Sequence, residues 1–503
     1  MTAVFCAASL VVPVSSSADV RMAEGECYIL EARPYVLTEF YMMENTVDLD
    51  TKIRDDRVQY IGIDYGLALD FKIKNGGLRI FFELERNGFY DYNAPVVIHD
   101  TLETFFGKVG GYTNAELLPK VKEYWGDIPL VPSENIRFKG GLFKYEVGHG
   151  ISLNGSYQNY GMELYSMGEE FSWNVYACWP DYNNKQLLGP YISQEKPQDV
   201  DWNHSKAYLL AADMKASAGY VSVEPYAGLL MDFSEGKRVS VFQTPTTDDI
   251  LGTVGISVDF TYHNFEASAE WARNFGHANS SQAGFPDVEH MGYAVYADAR
   301  YYFGNFIPRS KFIYASGNKL TTDMISNGDT RYPGSKNNAF SVYSPFNTYL
   351  ADSIYPSIGP LPVVAMGDGN AMNYGVRRSG TFADPAQIEN LTIVCAGFDY
   401  RFNDKASAVF DWWYLATSEK GIGMYNNIPK VISPELGNEV DLRLHYSLTK
   451  NMKLGFLGGV FFPGAAYREE RTDINGSLFT PFVRGDGKAD PAYQVEMGME
   501  IIF

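Results

Sequence analysis

The chain ends on a strict alternation. Apolar residues fall at Val495, Met497, Met499, Ile501 and Phe503, with Glu496, Gly498, Glu500 and Ile502 between them. A period of two marks a β-strand, because successive side chains leave a pleated backbone on opposite faces. The same rhythm recurs upstream. Ile61, Ile63, Tyr65, Leu67, Leu69 and Phe71 alternate with Gly62, Asp64, Gly66, Ala68, Asp70 and Lys72. Met291 to Phe303 and Val440 to Leu448 repeat it, which predicts an all-β chain in which most strands have one apolar and one polar face.

Composition narrows what such strands build. The 503 residues carry a net charge of -20, with 36 Tyr, 32 Phe and 47 Gly. That acidity argues against nucleic acid as a partner, because phosphate binding needs a basic surface. No apolar run reaches the roughly 18 residues a membrane helix needs. A transmembrane barrel leaves no such run, since lipid-facing and lumen-facing residues alternate and average out. Abundant Tyr and Phe suit the aromatic girdles at its two interfaces.

Candidate strands, read backwards from the end, are 491–503, 451–462, 437–448, 405–416, 390–403, 309–316, 289–303, 265–274, 253–262, 219–231, 203–217, 169–180, 158–166 and 135–147. Three more lie at 77–87, 57–73 and 32–45. The connections alternate in length. Tight ones fall at Thr449–Asn451, Asn403–Asp404, Gly304–Pro308, His263–Asn264, Ala218 and Ser166–Glu169. Long ones fall at 463–490, 417–436, 317–389, 275–288, 232–252 and 181–202. Short turns on one side and long loops on the other is the asymmetry of an antiparallel up-and-down transmembrane barrel. The count reaches about 17, whereas bacterial single-chain barrels use even numbers. One more strand is therefore expected within 88–134, for about 18 in all, with 16 as the alternative. Asn114 to Trp125 reads as helical, so a short helix is expected in that region. Connection 317–389 is too long for a passive link, and either plugs the lumen or lies on the surface.

Residues 1–18 read as a secretory signal, with Ser16 and Ala18 at the cleavage positions, although no Lys or Arg precedes the apolar run; a buried strand is the competing reading. Residues 19–503 are then the barrel, with long loops at about 88–134 and 317–389. Cys6, Cys27, Cys178 and Cys395 show no metal-ligand spacing, and no disulfide is predicted.

Parity assigns to the inner face Asp64, Asp70, Lys72, Arg79, Glu224, Asp259, Glu266, Glu270, Asp298, Arg300, Asp399, Arg401, Asp411, Asp441, Arg443, Glu496 and Glu500. Charges are costly against lipid and tolerable against water, so a wet lumen accounts for them and makes them candidates for a solute path. Asp298/Arg300, Asp399/Arg401 and Asp441/Arg443 repeat an Asp-x-Arg pattern, which either lines a conducting path or only rigidifies the wall. Acids exceed bases on this face, favouring cations or neutral sugars over anions. Nucleophile-elbow, zinc-protease and P-loop motifs are absent, so no catalytic residue, metal or cofactor is expected. The expected function is a passive channel for hydrophilic solutes such as saccharides. The alternatives are an outer-membrane hydrolase using His277 or His290, and an adhesive barrel whose loops bind a surface partner.

The closing strand, ending in an aromatic residue, resembles the C-terminal assembly signal of bacterial outer-membrane barrels. That resemblance implies a Gram-negative outer membrane, surrounding lipid, and an assembly machinery that recognises the strand ending at Phe503. The segment Ile136 to Asn154, with Gly140, Gly141, Gly148 and Gly150, resembles a strand-and-loop stretch of the alginate-export family. The family's lumen is strongly basic and Arg-rich, whereas this lumen mixes signs with acid in excess. The resemblance therefore implies an export or uptake channel without implying alginate, and no binding residue is carried over.

Overall fold

The computed structural model describes residues 20–44, 58–74, 77–91, 120–153, 158–168, 170–179, 207–233, 237–238, 245–280, 283–284, 286–319, 335–338, 340, 390–420, 422–425, 428–431, 433–468 and 489–502. Among them, 22 strands hydrogen-bond into one sheet. Eighteen make the wall of a closed antiparallel barrel. In chain order these are β1 (Tyr28–Glu44), β2 (Val58–Ile73), β3 (Arg79–Asp91), β4 (Lys120–Val131), β5 (Ile136–Lys144), β6 (Gln158–Ser166), β7 (Phe171–Trp179), β8 (Ala207–Ala218) and β9 (Val221–Asp232). They continue as β10 (Pro245–Tyr262), β11 (Phe265–Ser280), β12 (Tyr293–Tyr301), β13 (Phe306–Ala315), β14 (Leu391–Asn403), β15 (Ala406–Ala416), β16 (Glu435–Thr449), β17 (Met452–Pro463) and β18 (Ala492–Ile502).

Each wall strand pairs with its sequence neighbours. The seam closes where β1 meets β18, from Tyr35 opposite Ile502 to Glu44 opposite Tyr493. Closure matters because lipid offers no partner to an unpaired backbone N–H or C=O. A separate short strand, Val20–Glu24, pairs with the start of β1, from Val20 opposite Ala32 to Glu24 opposite Ile29. It lies on the same edge of β1 as β18, immediately beyond Ile502.

The side chains sort as the alternation requires. On β8, Tyr208, Leu210 and Met214 are exposed on the outer face, while Leu209, Ala211 and Asp213 are buried on the inner one. Outward aromatics gather at the level of the short turns: Tyr220 with Tyr262, Tyr301 with Phe303, Phe306 with Phe398 and Tyr400 with Phe402. At the opposite end Tyr293 lies against Tyr314. These belts sit where amphipathic rings are best solvated, at the two lipid–water interfaces.

The eighteenth strand is β4, inside the stretch where one was missing. The expected helix over Asn114 to Trp125 is corrected where it is described: Lys120 to Trp125 belong to β4. Strands β3 and β5 supply it with strand partners on both sides. The strand expected at 289–303 is two, Val288–His290 and β12, separated at Met291 and Gly292. Strands β10 and β11 rise further than expected, so the connections placed at 232–252 and 275–288 are shorter. Strand β5 stops at Lys144, and residues 145–153 turn inward. The signal region 1–18, residue Phe503 and most of connection 317–389 lie outside the described residues.

Candidate functional site: the lumen

Residues 145–153 form a strap that enters the lumen from the top of β5. Gly148 at φ 58° and Gly150 at φ 77° take left-handed turns that a side chain resists. Val147, Ile151 and Leu153 are buried. The strap is held by acids on β9 and β11. The Gly148 amide donates to Glu224 Oε1 at 2.7 Å, and the His149 amide donates to Glu270 Oε2 at 2.6 Å. Tyr226 donates to the other Glu270 oxygen at 2.5 Å, and Ser152 Oγ donates to Tyr226 at 3.2 Å. The His149 ring lies 3.4 Å from Asp259, and Tyr145 donates to Asp213 at 2.6 Å. A short segment thus reaches inner-face residues of β8, β9, β10 and β11.

Beyond the strap, inner-face charges are paired across strands. Asp70 is buried and receives Arg79 through Nε at 3.0 Å and Nη2 at 2.6 Å. Lys72 lies 2.8 Å from Glu31 and 3.0 Å from Asp70. Asp411 is fully buried; Arg309 and Arg443 both donate to it, the latter at 3.0 Å, and Arg309 also lies 3.4 Å from Asp399. Asp441 is buried directly across from Asp411. Glu266 accepts from Tyr302 at 2.7 Å, and Glu500 sits 3.6 Å from Lys453. The Arg401 side chain has no partner among the described residues. The side chains of Asp64 and Glu496 lie outside the described residues.

The three Asp-x-Arg repeats differ in how their members are engaged. Asp298 and Arg300 approach each other at 3.4 Å. Asp399 instead meets Arg309, and Arg443 meets Asp411. Both cross-strand pairs are diagonal, since Asp399 stands opposite Ile307 and Asp411 opposite Asp441. Diagonal neighbours lie about 7–8 Å apart, much as residues two apart on one strand do, so spacing alone does not favour the Asp-x-Arg pair.

Sequence reading missed much of the basic component. Arg137 donates to Asp127 at 2.9 Å, and Tyr165 donates to the same carboxylate at 2.6 Å. Lys139 lies 4.7 Å from the centre of the Trp125 ring, which Arg79 also overlies at 5.0 Å. Asp127 and Trp125 stand on β4, the strand that had no assigned position. Arg309 lies next to Pro308, where the sequence suggested a turn. The lumen is therefore richer in cations than the sequence list, which weakens the inference of cation preference.

The hydrolase candidates are not brought together as a site. His277 lies on β11 with an exposed side chain, whereas His290 is buried at 5% exposure. His290 is hydrogen-bonded to Asp249 at 2.9 Å and lies 3.4 Å from the Asn337 amide. Asn337 belongs to Lys336–Asn337, a short piece of the long connection that pairs with Val288–His290 and extends the wall. No group of residues able to hold a metal is found among the described residues.

These features define a closed antiparallel barrel of eighteen strands with a polar lumen. The solved barrels that resemble it include OccAB2 of Acinetobacter baumannii, with a TM-score of 0.50, 9% identity and coverage of 94% of this chain and 98% of that one. OccK2 (OpdF) of Pseudomonas aeruginosa matches with a TM-score of 0.50, 8% identity and coverage of 94% and 97%. A BenF-like porin from Pseudomonas fluorescens Pf-5 matches with a TM-score of 0.50, 8% identity and coverage of 94% and 98%. At such identities the likeness is one of fold. The family model described as Alginate export matches residues 366–479, a stretch that includes β14 to β17. No curated protein matches the chain.

Proposed function

We propose that the barrel is a passive outer-membrane channel for hydrophilic solutes, with saccharides as the candidate class. The observation that carries this reading is the contrast between the two faces of the wall. Outward positions are apolar, while inward ones hold carboxylates, guanidinium groups and hydroxyls that need water or one another. Side chains of both signs favour neutral, hydroxyl-rich solutes over a polyuronate, which an acid-bearing lumen would repel. The strap 145–153 serves as the constriction, since it projects into the lumen and is fixed by Glu224 and Glu270. In this reading β18 also serves as the segment that an assembly machinery recognises.

Planar-bilayer recording of refolded protein tests the proposal. Discrete conductance steps are expected, with larger saccharides slowing solute flux into vesicles more than smaller ones. A folded barrel that inserts and shows no steps and no flux would overturn it.

A further inference from the structure

The inner face carries a second polar site, at the short-turn end and away from the strap. A pocket of about 690 Å³ lies between the turn at Asp404 and Lys405 and the adjoining ends of β14 to β17. Its position follows from strand register. Arg401 stands across from Ser407, Ser407 across from His445, and His445 across from Gly455, which faces Gly498. Three polar side chains in a row, each lining the pocket, are thus followed by two buried glycines. One level nearer the turns, Ser447 faces Lys453.

The charges of this pocket differ from those deeper in the lumen. Arg79, Arg309 and Arg443 are each committed to a buried aspartate. The side chains of Arg401 and Lys405 have no partner among the described residues. His445 Nδ1 is buried and likewise has no hydrogen-bond partner among them. Nearby acids do not cancel this set: Glu500 is engaged by Lys453 at 3.6 Å and Asp399 by Arg309 at 3.4 Å, which leaves exposed Asp404 against two free cations. A guanidinium fork beside an ammonium, with hydroxyls and a ring nitrogen around them, is donor chemistry suited to a phosphate group. The volume lies within the roughly 300–1,000 Å³ of small-molecule sites.

We propose that this pocket binds a sugar phosphate at the periplasmic mouth. Arg401 and Lys405 hold the phosphate, and His445 approaches it from the wall. Ser407 and Ser447 take ring hydroxyls. The proposal rests on the channel reading for the route by which such a solute arrives, but the binding itself needs no open pore.

The test is phosphorus NMR of glucose 6-phosphate mixed with the full chain, folded in detergent micelles. Line broadening that saturates with protein is expected, with at least a tenfold weaker affinity in Arg401→Ser/Lys405→Ser. Both side chains are exposed on the inner rim, so the variant is expected to keep the heat-resistant gel mobility of a folded barrel. Lys420→Ser, which removes an exposed charge at the opposite end, should bind as the parent does. If the double variant does not fold, Arg401→Ser alone is measured against Arg401→Lys, which should retain more binding. No broadening, or equal broadening in the rim variants, overturns the site. Bilayer recordings made alongside separate the two readings: conductance without binding removes the site and leaves the channel, whereas binding without conductance does the reverse.

Discussion

The backbone amide of His149 donates to Glu270 Oε2 at 2.6 Å, while Tyr226 donates to the other oxygen of the same carboxylate at 2.5 Å. One carboxylate on β11 therefore fixes a residue of β9, two strands away, and the strap together. Hydrogen bonds to a charged group contribute about 1.5–3 kcal/mol each. Replacing Glu270 by Ala should release the strap, raising single-channel conductance and adding open-state noise. A variant with the parent's conductance and noise would show that the strap is held elsewhere.

Gly148 faces that same carboxylate. A methyl group there would stand 2.9 Å from Glu270 Cδ, on a backbone already at φ 58°. The left-handed conformation alone costs a residue with a side chain about 1–2 kcal/mol. Gly148→Ala should loosen the strap in the same direction as Glu270→Ala. Because both changes act on one contact, the double variant should show less than the sum of the single effects, measured as conductance change. Full additivity would mean that the two residues act on different elements.

At the other side of the barrel, Asp411→Asn leaves Arg309 and Arg443 without their shared buried anion. Breaking a buried ion pair costs about 3–5 kcal/mol. With both arginines about a quarter exposed, the lower end applies. Urea unfolding from lipid vesicles should register a loss of about 3 kcal/mol. Reversal potentials in a salt gradient should shift toward anions, because the lumen loses one negative charge while both arginines remain.

Adjacent residues of β8 give a test of the wall itself. Met214 is exposed on the outer face and Asp213 is buried on the inner one. An arginine at Met214 should cost about 2–4 kcal/mol if that position lies near the bilayer midplane. Lys215→Ala, on the inner face, should change folding little and act on conductance instead. Equal folding losses for the two would contradict the assignment of faces.

Much of this architecture was legible because alternation and connection length are independent signals that agree. The seam strand, the tight turns and the missing member between residues 88 and 134 all followed from them. Strand β4 escaped placement because Gly126, Asp127 and Pro129 interrupt the apolar rhythm that marks its neighbours. Its place is set by pairing on both sides, which no local pattern reveals. The strap escaped for a related reason. Tyr145 and Val147 keep step with Phe143, so the chain reads as strand until the glycines at 148 and 150 bend it. Length drew attention to connection 317–389, whereas the segment seen to enter the lumen is short and sits in the glycine-bearing stretch singled out for another reason. Inner-face parity was readable, but the partners were not, since pairing depends on register.

The short strand Val20–Glu24 occupies the edge of β1 just beyond the place where β18 ends. It acts as an end-stop. If β18 slid four residues along β1 toward the short-turn side, Ile502 would stand opposite Glu31, a place already taken by Arg21. Sliding the other way would strip partners from Tyr35 and its neighbours. The position of the closing strand is thus limited from both directions, on one side by a segment that lies in line with it.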